Sequence, residues 1–223
     1  MPAVVSEPVP LGDEDLLAPG GRRLGRRAQE TRRRLLDATA ELLESRPLLD
    51  LTVVEVARRA GTSPAAFYQY FPNVHEALLA LADETGEQIS GLVPLVERPW
   101  RGAAGFAACK ELVTGYIAYW DAHRAVLRAR DMAAAEGDQR FRAARNESLS
   151  IITNRLCDKV AEAQDHGAVP AAISPYAAAS AMMGMMGRMA AYHRELEARG
   201  LPEAELVETV ARIVFQTVTG SRP

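Results

Sequence analysis

The chain has little with which to do covalent or metal chemistry. Its two cysteines, Cys109 and Cys157, stand far apart and alone. That excludes a Cys-x-x-Cys redox or zinc motif and gives no sign of a secreted disulfide scaffold. The four histidines, His75, His123, His166 and His193, are scattered, and no His-Glu-x-x-His pattern occurs. There is no glycine-rich loop of the P-loop or dinucleotide type; Gly184 and Gly187 stand in a helical pattern, the wrong setting for either. These absences argue against an enzyme, a bound metal or a cofactor. No apolar run approaches the roughly 20 residues needed to span a bilayer. The N-terminal stretch lacks the apolar centre of a secretory signal. No membrane association is expected, and the expected location is cytoplasmic. Long strand-period alternation is also missing, so the expected fold class is all-α.

What the chain does have is concentrated between Thr52 and Glu76, TVVEVARRAGTSPAAFYQYFPNVHE. Thr52 and Glu55 have capping-box spacing: the hydroxyl accepts from the backbone three residues on, and the glutamate reaches back. Leu51 and Val56 occupy the staple positions around that cap. Val53, Val56, Ala57 and Ala60 recur at helical spacing. Gly61 follows where a left-handed residue ends a helix. Ser63 is a good N-cap, and Pro64 suits the first helical position because its missing N–H would have no partner there. The spacing predicts a second helix from Pro64 to about Tyr70, ended by Pro72, and a third capped by Asn73 and Glu76. Helix, glycine turn, helix is the helix-turn-helix arrangement, whose second helix enters the major groove of DNA.

An ordinary pair of packed helices would carry the same stop and start signals. The composition of the second helix argues for more. Phe67 and Phe71 can face a core at i and i+4. Ala65, Ala66, Tyr68, Gln69 and Tyr70 are then turned partly outward. Two tyrosines, a glutamine and small residues on an uncharged helix suit a surface pressed against bases and phosphates. Charge points the same way. The whole chain carries a net −3, yet residues 20–72 hold ten arginines against six acids, a local +4. Phosphate contacts need only local positive charge. A solvated arginine tail is the plain alternative, but this run leads directly into a helix beside the motif.

From about Thr31 to Leu79 the chain resembles the DNA-binding domain of the TetR family of bacterial transcriptional regulators. The likeness rests on TRRRLLDATAELL and LTVVEVARRAGTSPAAFYQYFPNVHEALL, above all on AGTS followed by FYQYF and a capped helix. LLESRPLLDLTV, with Arg46-Pro47 where many members have glycine, is similar to the EthR-like branch. The resemblance implies that Thr52 meets a phosphate at the start of the first motif helix. It implies that Ser63 caps the reading helix, that Pro64, Ala65 and Ala66 lie at base edges, and that Tyr68, Gln69 and Tyr70 contact bases or backbone. Arg26 and Arg27 belong to the basic arm. Members usually carry a phosphate-binding lysine just after the position of Asn73; this chain has Val74 and His75 there, so no lysine contact is carried over.

The expected organisation is a disordered extension over 1–21, rich in Pro, Gly and acid, and a DNA-reading domain with its basic arm over 22–76. A helical ligand-binding and dimerisation domain follows over 77–223. A helix from Asn73 to about Ser90 should link the two domains, with Gly91, Pro94 and Pro99 marking a loop after it. Further helices are expected over Gly102–Trp120, His123–Glu136, Asp138–Asp165, Ser174–Gly200 and from Pro202 to about Thr219. Five of seven methionines cluster between Met182 and Met189. Methionine lines surfaces that accept varied apolar shapes. Each of these side chains could equally be plain core. The family places an inducer pocket in this region, so the expected ligand-binding residues are Trp100, Phe106, Tyr116, Tyr119, Trp120, Phe141, Met182, Met183 and Met186. Ala178, Ala181, Gly184, Gly187 and Ala191 leave room for close helix approach, and Val207, Val210, Ile213, Val214 and Val218 form an apolar stripe. The resemblance implies a homodimer through these last two helices.

The expected function is therefore a ligand-responsive DNA-binding regulator, a repressor released from its double-stranded operator by a small apolar effector. A constitutive DNA binder without inducer, or a ligand-binding helical protein that does not act on DNA, are the alternatives. Replacing Arg22, Arg23, Arg26 and Arg27 together should flatten the dependence of DNA affinity on salt, because each lost phosphate contact removes released counterions. An unaltered slope in a salt series of gel shifts would make this arm a mere tail.

Overall fold

Apolar residues at three- and four-residue steps wind the chain into nine α-helices within residues 25–221, the span described by the computed structural model. They are α1 (Arg26–Leu43), α2 (Val53–Arg59), α3 (Pro64–Phe67), α4 (Val74–Gln88), α5 (Val93–Glu97), α6 (Gly102–Ala135), α7 (Gln139–Asp165), α8 (Pro175–Ala198) and α9 (Glu203–Thr219). No strand occurs among the described residues, and the all-α class is the one the chain adopts. The expected extension over 1–21 lies outside these residues, as do Arg22 and Arg23. Two compact units divide between Ala77 and Leu78, so that α4 belongs to both by covalent continuity.

In the first unit, α2 packs on α1 and on α3. Leu35, Leu36, Val56, Ala57, Phe67 and Phe71 are among its buried apolar residues, and Leu51 is buried beside the cap as its staple position requires. Each such large side chain contributes about 1.5–3 kcal/mol by leaving water. Thr39 is buried too, and donates its hydroxyl to the Leu35 carbonyl at 2.8 Å. That bond offsets the cost of burying a polar group.

In the second unit, α6, α7, α8 and α9 pack against one another around a continuous apolar core. The expected loop at Gly91, Pro94 and Pro99 is not irregular throughout. Ile89–Leu92 forms a 3₁₀ turn that runs straight into α5, where Pro94 sits in the first turn. A proline there lacks only an N–H that would have had no helical partner. The segments expected over Gly102–Trp120 and His123–Glu136 form one helical run, interrupted at His123, whose φ −124° and ψ 17° leave helical space. Asp121 ties this break to α8. Its carboxylate accepts from Arg124 at 2.7 Å and lies 3.1 Å from Arg194 and 3.2 Å from the buried His193. Arg124 also donates to the Ala191 carbonyl at 2.7 Å.

Three helices of this unit end alike. The third amide beyond the helix reaches back, Asp138 to the Ala133 carbonyl at 3.1 Å, Ala168 to Ala163 at 2.9 Å and Leu201 to Leu196 at 3.1 Å. This is the Schellman closure that a left-handed residue makes possible. Arg130 is 3% exposed and survives burial because Asp131 takes it at 2.8 Å and Ser148 accepts from it at 3.3 Å. An unpaired charge there would be strongly destabilising.

The turn between α5 and α6 lies hard against the first turn of α6. A Cβ on Gly105 would stand 2.4 Å from the backbone carbonyl carbon of Trp100 and 2.5 Å from its Cα. Gly105→Ala should push the Trp100 turn off α6 and cost on the order of 1–3 kcal/mol. Urea unfolding of the two proteins measures the difference; equal midpoints would mean that the turn yields freely.

Candidate nucleic-acid interface and effector region

Four short-range devices shape the motif. The capping box at α2 is complete: Glu55 N–H donates to the Thr52 hydroxyl at 3.3 Å, and Thr52 N–H donates to the Glu55 carboxylate at 3.1 Å. Thr52 also donates its hydroxyl to that carboxylate at 2.7 Å. At the other end Gly61 takes φ +66°, and Thr62 N–H returns to the Ala57 carbonyl at 2.9 Å. Any L residue with a Cβ would resist that dihedral. Ser63 accepts from Ala66 N–H at 3.2 Å, with Pro64 at the first helical position. Asn73 accepts from Glu76 N–H at 3.0 Å and opens α4.

The reading segment is shorter than the expected Pro64–Tyr70. Regular α-helix stops at Phe67, and the chain goes on in tighter turns: Gln69 N–H bonds the Ala66 carbonyl at 3.1 Å and Tyr70 N–H the Phe67 carbonyl at 2.9 Å. These i to i+3 bonds close the segment as a 3₁₀-like end. Phe67 is fully buried, and its ring meets Phe71 at 5.8 Å and the edge of Tyr68 at 6.0 Å. The buried phenyl rings hold the segment from below. On its other side Pro64, Ala65, Tyr68 and Gln69 are exposed, and Ala66 and Tyr70 are half-buried. Tyr68 touches Phe67 only by its edge and is 57% exposed. Thr52 and Ser63 are exposed at the two N-caps. Arg26 and Arg27 are exposed in the first turn of α1, Arg26 beside Glu30 at 3.3 Å.

One residue of the motif escaped a reading of local spacing. Arg46 donates to Glu55 at 2.5 Å and to the Asp50 carbonyl, tying the end of α1 to the cap of α2. Its partner is nine residues away, so helical periodicity gives no hint of it. The only sequence signal was the Arg46-Pro47 pair itself. The Arg46 hydrogen bond, with those from Thr52, holds the Glu55 carboxyl down to about 2.

In the second unit, Trp100, Tyr116, Trp120, Met183 and Met186 are buried in one core cluster, with Phe106, Tyr119 and Met182 packed on it half-buried. Phe141 is fully buried outside that cluster. Tyr116 and Tyr119 meet at 6.0 Å, and the Tyr119 hydroxyl donates to the Thr85 carbonyl of α4 at 3.3 Å. Cys109 is buried, with its thiol on the Ala211 carbonyl at 3.4 Å, and burial pushes it up to about 12. It stays a thiol and makes no nucleophile. Tyr176, in the first turn of α8, is 64% exposed and outside this core. Of the α9 stripe, Val207, Val210, Val214 and Val218 are buried within the unit, while Ile213 is 40% exposed. Of the small residues on α8, Ala178 is buried, Gly187 and Ala191 are half-buried, and Ala181 and Gly184 are exposed.

Comparison with known proteins adds three findings. The family described as bacterial regulatory proteins, tetR family, matches residues 35–81, and the one described as Tetracyclin repressor-like, C-terminal domain, matches residues 91–223. The HTH-type transcriptional regulator EthR of Mycobacterium tuberculosis (strain ATCC 25618 / H37Rv) is 30% identical over 212 residues, 91% of this chain and 94% of that one. Among solved structures, a putative TetR-family transcriptional regulator from Rhodococcus sp. superposes with a TM-score of 0.66 at 18% identity, covering 85% of this chain and 99% of that one. The regulator FadR from Bacillus subtilis in complex with stearoyl-CoA superposes with a TM-score of 0.60 at 17% identity, covering 85% and 99%.

The Arg46–Glu55 bond has a pH signature. The carboxyl of Glu55 falls from its ordinary 4.5 to about 2 on folding, so ionisation favours the folded state. That contribution is present above 4.5 and lost as pH falls from there toward about 2. Glu55→Gln should flatten the loss of stability in this window. Unfolding midpoints measured across it check the point; parallel pH curves for the two proteins would remove Glu55 from the account.

Proposed function

The chain belongs to the TetR family of bacterial regulatory proteins, on its EthR-like branch, and from that premise we propose that it is a homodimeric repressor whose second unit releases it from operator DNA on binding a small apolar effector. One observation carries the DNA half of this reading. A four-residue helix, pinned by buried Phe67 and flanked by two caps, presents Tyr68 and Gln69 to solvent beside small residues. Ala65 and Ala66 let the backbone approach base edges closely, Gln69 can pair bidentately with adenine, and Tyr68 and Tyr70 supply contacts to bases or phosphates. Thr52 and Ser63 offer hydroxyls to the backbone, and Arg26 and Arg27 offer charge.

The dimer places two such segments about 34–36 Å apart, one helical turn, on a near-palindromic site. The exposed small residues Ala181 and Gly184, with Ile213 on the neighbouring helix, support α8 and α9 as the pairing surface. The effector binds among Trp100, Phe106, Tyr116, Tyr119, Trp120, Phe141, Met182, Met183 and Met186. The same fold houses stearoyl-CoA in FadR of Bacillus subtilis. Binding acts through α4, which the Tyr119 hydroxyl holds at Thr85. An effector shifts the equilibrium only by its difference in affinity for the two states. Operator DNA must then weaken effector binding by the same factor, a coupling of about 1–3 kcal/mol. No helix among the described residues is long and apolar enough to cross a membrane; the protein acts in the cytoplasm, where its operator lies.

Gln69→Ala and Tyr68→Ala should each weaken operator binding by about 1–3 kcal/mol while circular dichroism stays unchanged. Gel shifts against a fixed operator decide it. Wild-type affinity in both variants would mean that another surface reads the DNA.

A further inference from the structure

The Pro99–Gly102 turn, the last two turns of α7 and the end of α9 enclose a cleft of about 790 Å³. That is the size of a small-molecule site. Of the residues expected to bind effector, only Trp100 lines it. The cleft is therefore separate from the methionine-rich region, and its use does not rest on the DNA-reading role.

Trp100 is its fixed wall. The indole stacks on Phe215 at 6.3 Å and donates its N–H to the Leu95 carbonyl at 3.0 Å. Pro99, Ala163 and Ala168 extend the apolar surface. The charges around it are mostly accounted for. Glu97 pairs with Arg155 at 3.2 Å, and Glu162 lies 3.7 Å from Arg101. Lys159 is different. Its ammonium donates to the Arg98 carbonyl at 2.8 Å and sits 5.3 Å from the Trp100 ring centroid. No carboxylate among the described residues lies within ion-pair distance of it, and Glu162 acts on it only at longer range. Partial burial pushes its proton affinity down. A cation that has lost water without gaining a counter-ion is what an anion offsets. The other lysine of the chain, Lys110, by contrast pairs with Glu208 at 2.7 Å.

We propose that this cleft binds a small amphipathic carboxylate, with its apolar part against Trp100 and Pro99 and its carboxylate on Lys159. A single negative charge fits best, because Glu97 and Glu162 on the rim oppose a second.

Phenylbutyrate and its uncharged amide are matched probes, and no DNA is present in the test. Protein isotope-labelled at lysine Cε gives two lysine resonances. Phenylbutyrate should move that of Lys159 and leave that of Lys110 in place. By calorimetry the acid should bind about tenfold more tightly than the amide, the scale of a hydrogen bond to a charged group. Lys159→Met should erase this preference and Lys159→Arg should restore it. Equal affinity for acid and amide, an unmoved Lys159 resonance, a preference that survives Lys159→Met, or no saturable binding of either probe would each overturn the proposal. The resonance reading needs only the wild-type protein, so it stands even if the methionine variant fails to fold.

Discussion

The burial of Phe67 is the contact on which the DNA-reading surface depends. A helix of four residues has no stability of its own, because nucleation costs more than one turn of hydrogen bonds returns. It persists here because Phe67 is fully buried and meets Phe71, and because Ser63 and Asn73 satisfy amides on either side. With the phenyl ring fixed inward, the tight turns that follow leave Tyr68 and Gln69 no place but solvent. Exposure of the reading side chains is thus a consequence of core packing.

Electrostatics in the first unit work at short range. Several of its arginines have a carboxylate beside them, among them Arg33 with Asp37, Arg59 with Glu41 and Arg46 with Glu55. Exposed pairs of this kind are worth little stability. Arg46 differs because it joins α1 to the cap of α2, so one side chain fixes how the first motif helix begins. The local excess of arginine is what a phosphate backbone responds to, and the acidic remainder of the chain does not cancel it at a distance beyond about 10 Å in ordinary salt.

The second unit combines a tightly closed core with two kinds of polar exception. Buried Arg130 and the Asp121 network are matched by partners and hold helices in register. Among the described residues, Lys159 is matched by a carbonyl and a ring alone. That contrast separates charges that complete the fold from one that faces a cleft. The break at His123 falls beside the Asp121 network, so the change of helix direction and its fastening to α8 are one feature.

Much of this was legible in the residues themselves. Thr52, Glu55, Gly61, Ser63, Pro64 and Asn73 carry local hydrogen-bonding and dihedral preferences, and each acts within four residues of itself. The helix ends expected at Glu136, Asp165 and Gly200 lie within two residues of those observed, for the same reason. What the sequence could not decide was set by partners distant along the chain. Arg46 finding Glu55, α5 forming where Gly91 and Pro94 promised a loop, the four valines of α9 turning inward while Ile213 turns out, and Lys159 meeting a carbonyl beside Trp100 all follow from which helices meet. Periodicity says that a face is apolar. Only packing says what covers it, because burial is a property of the neighbours and not of the side chain alone.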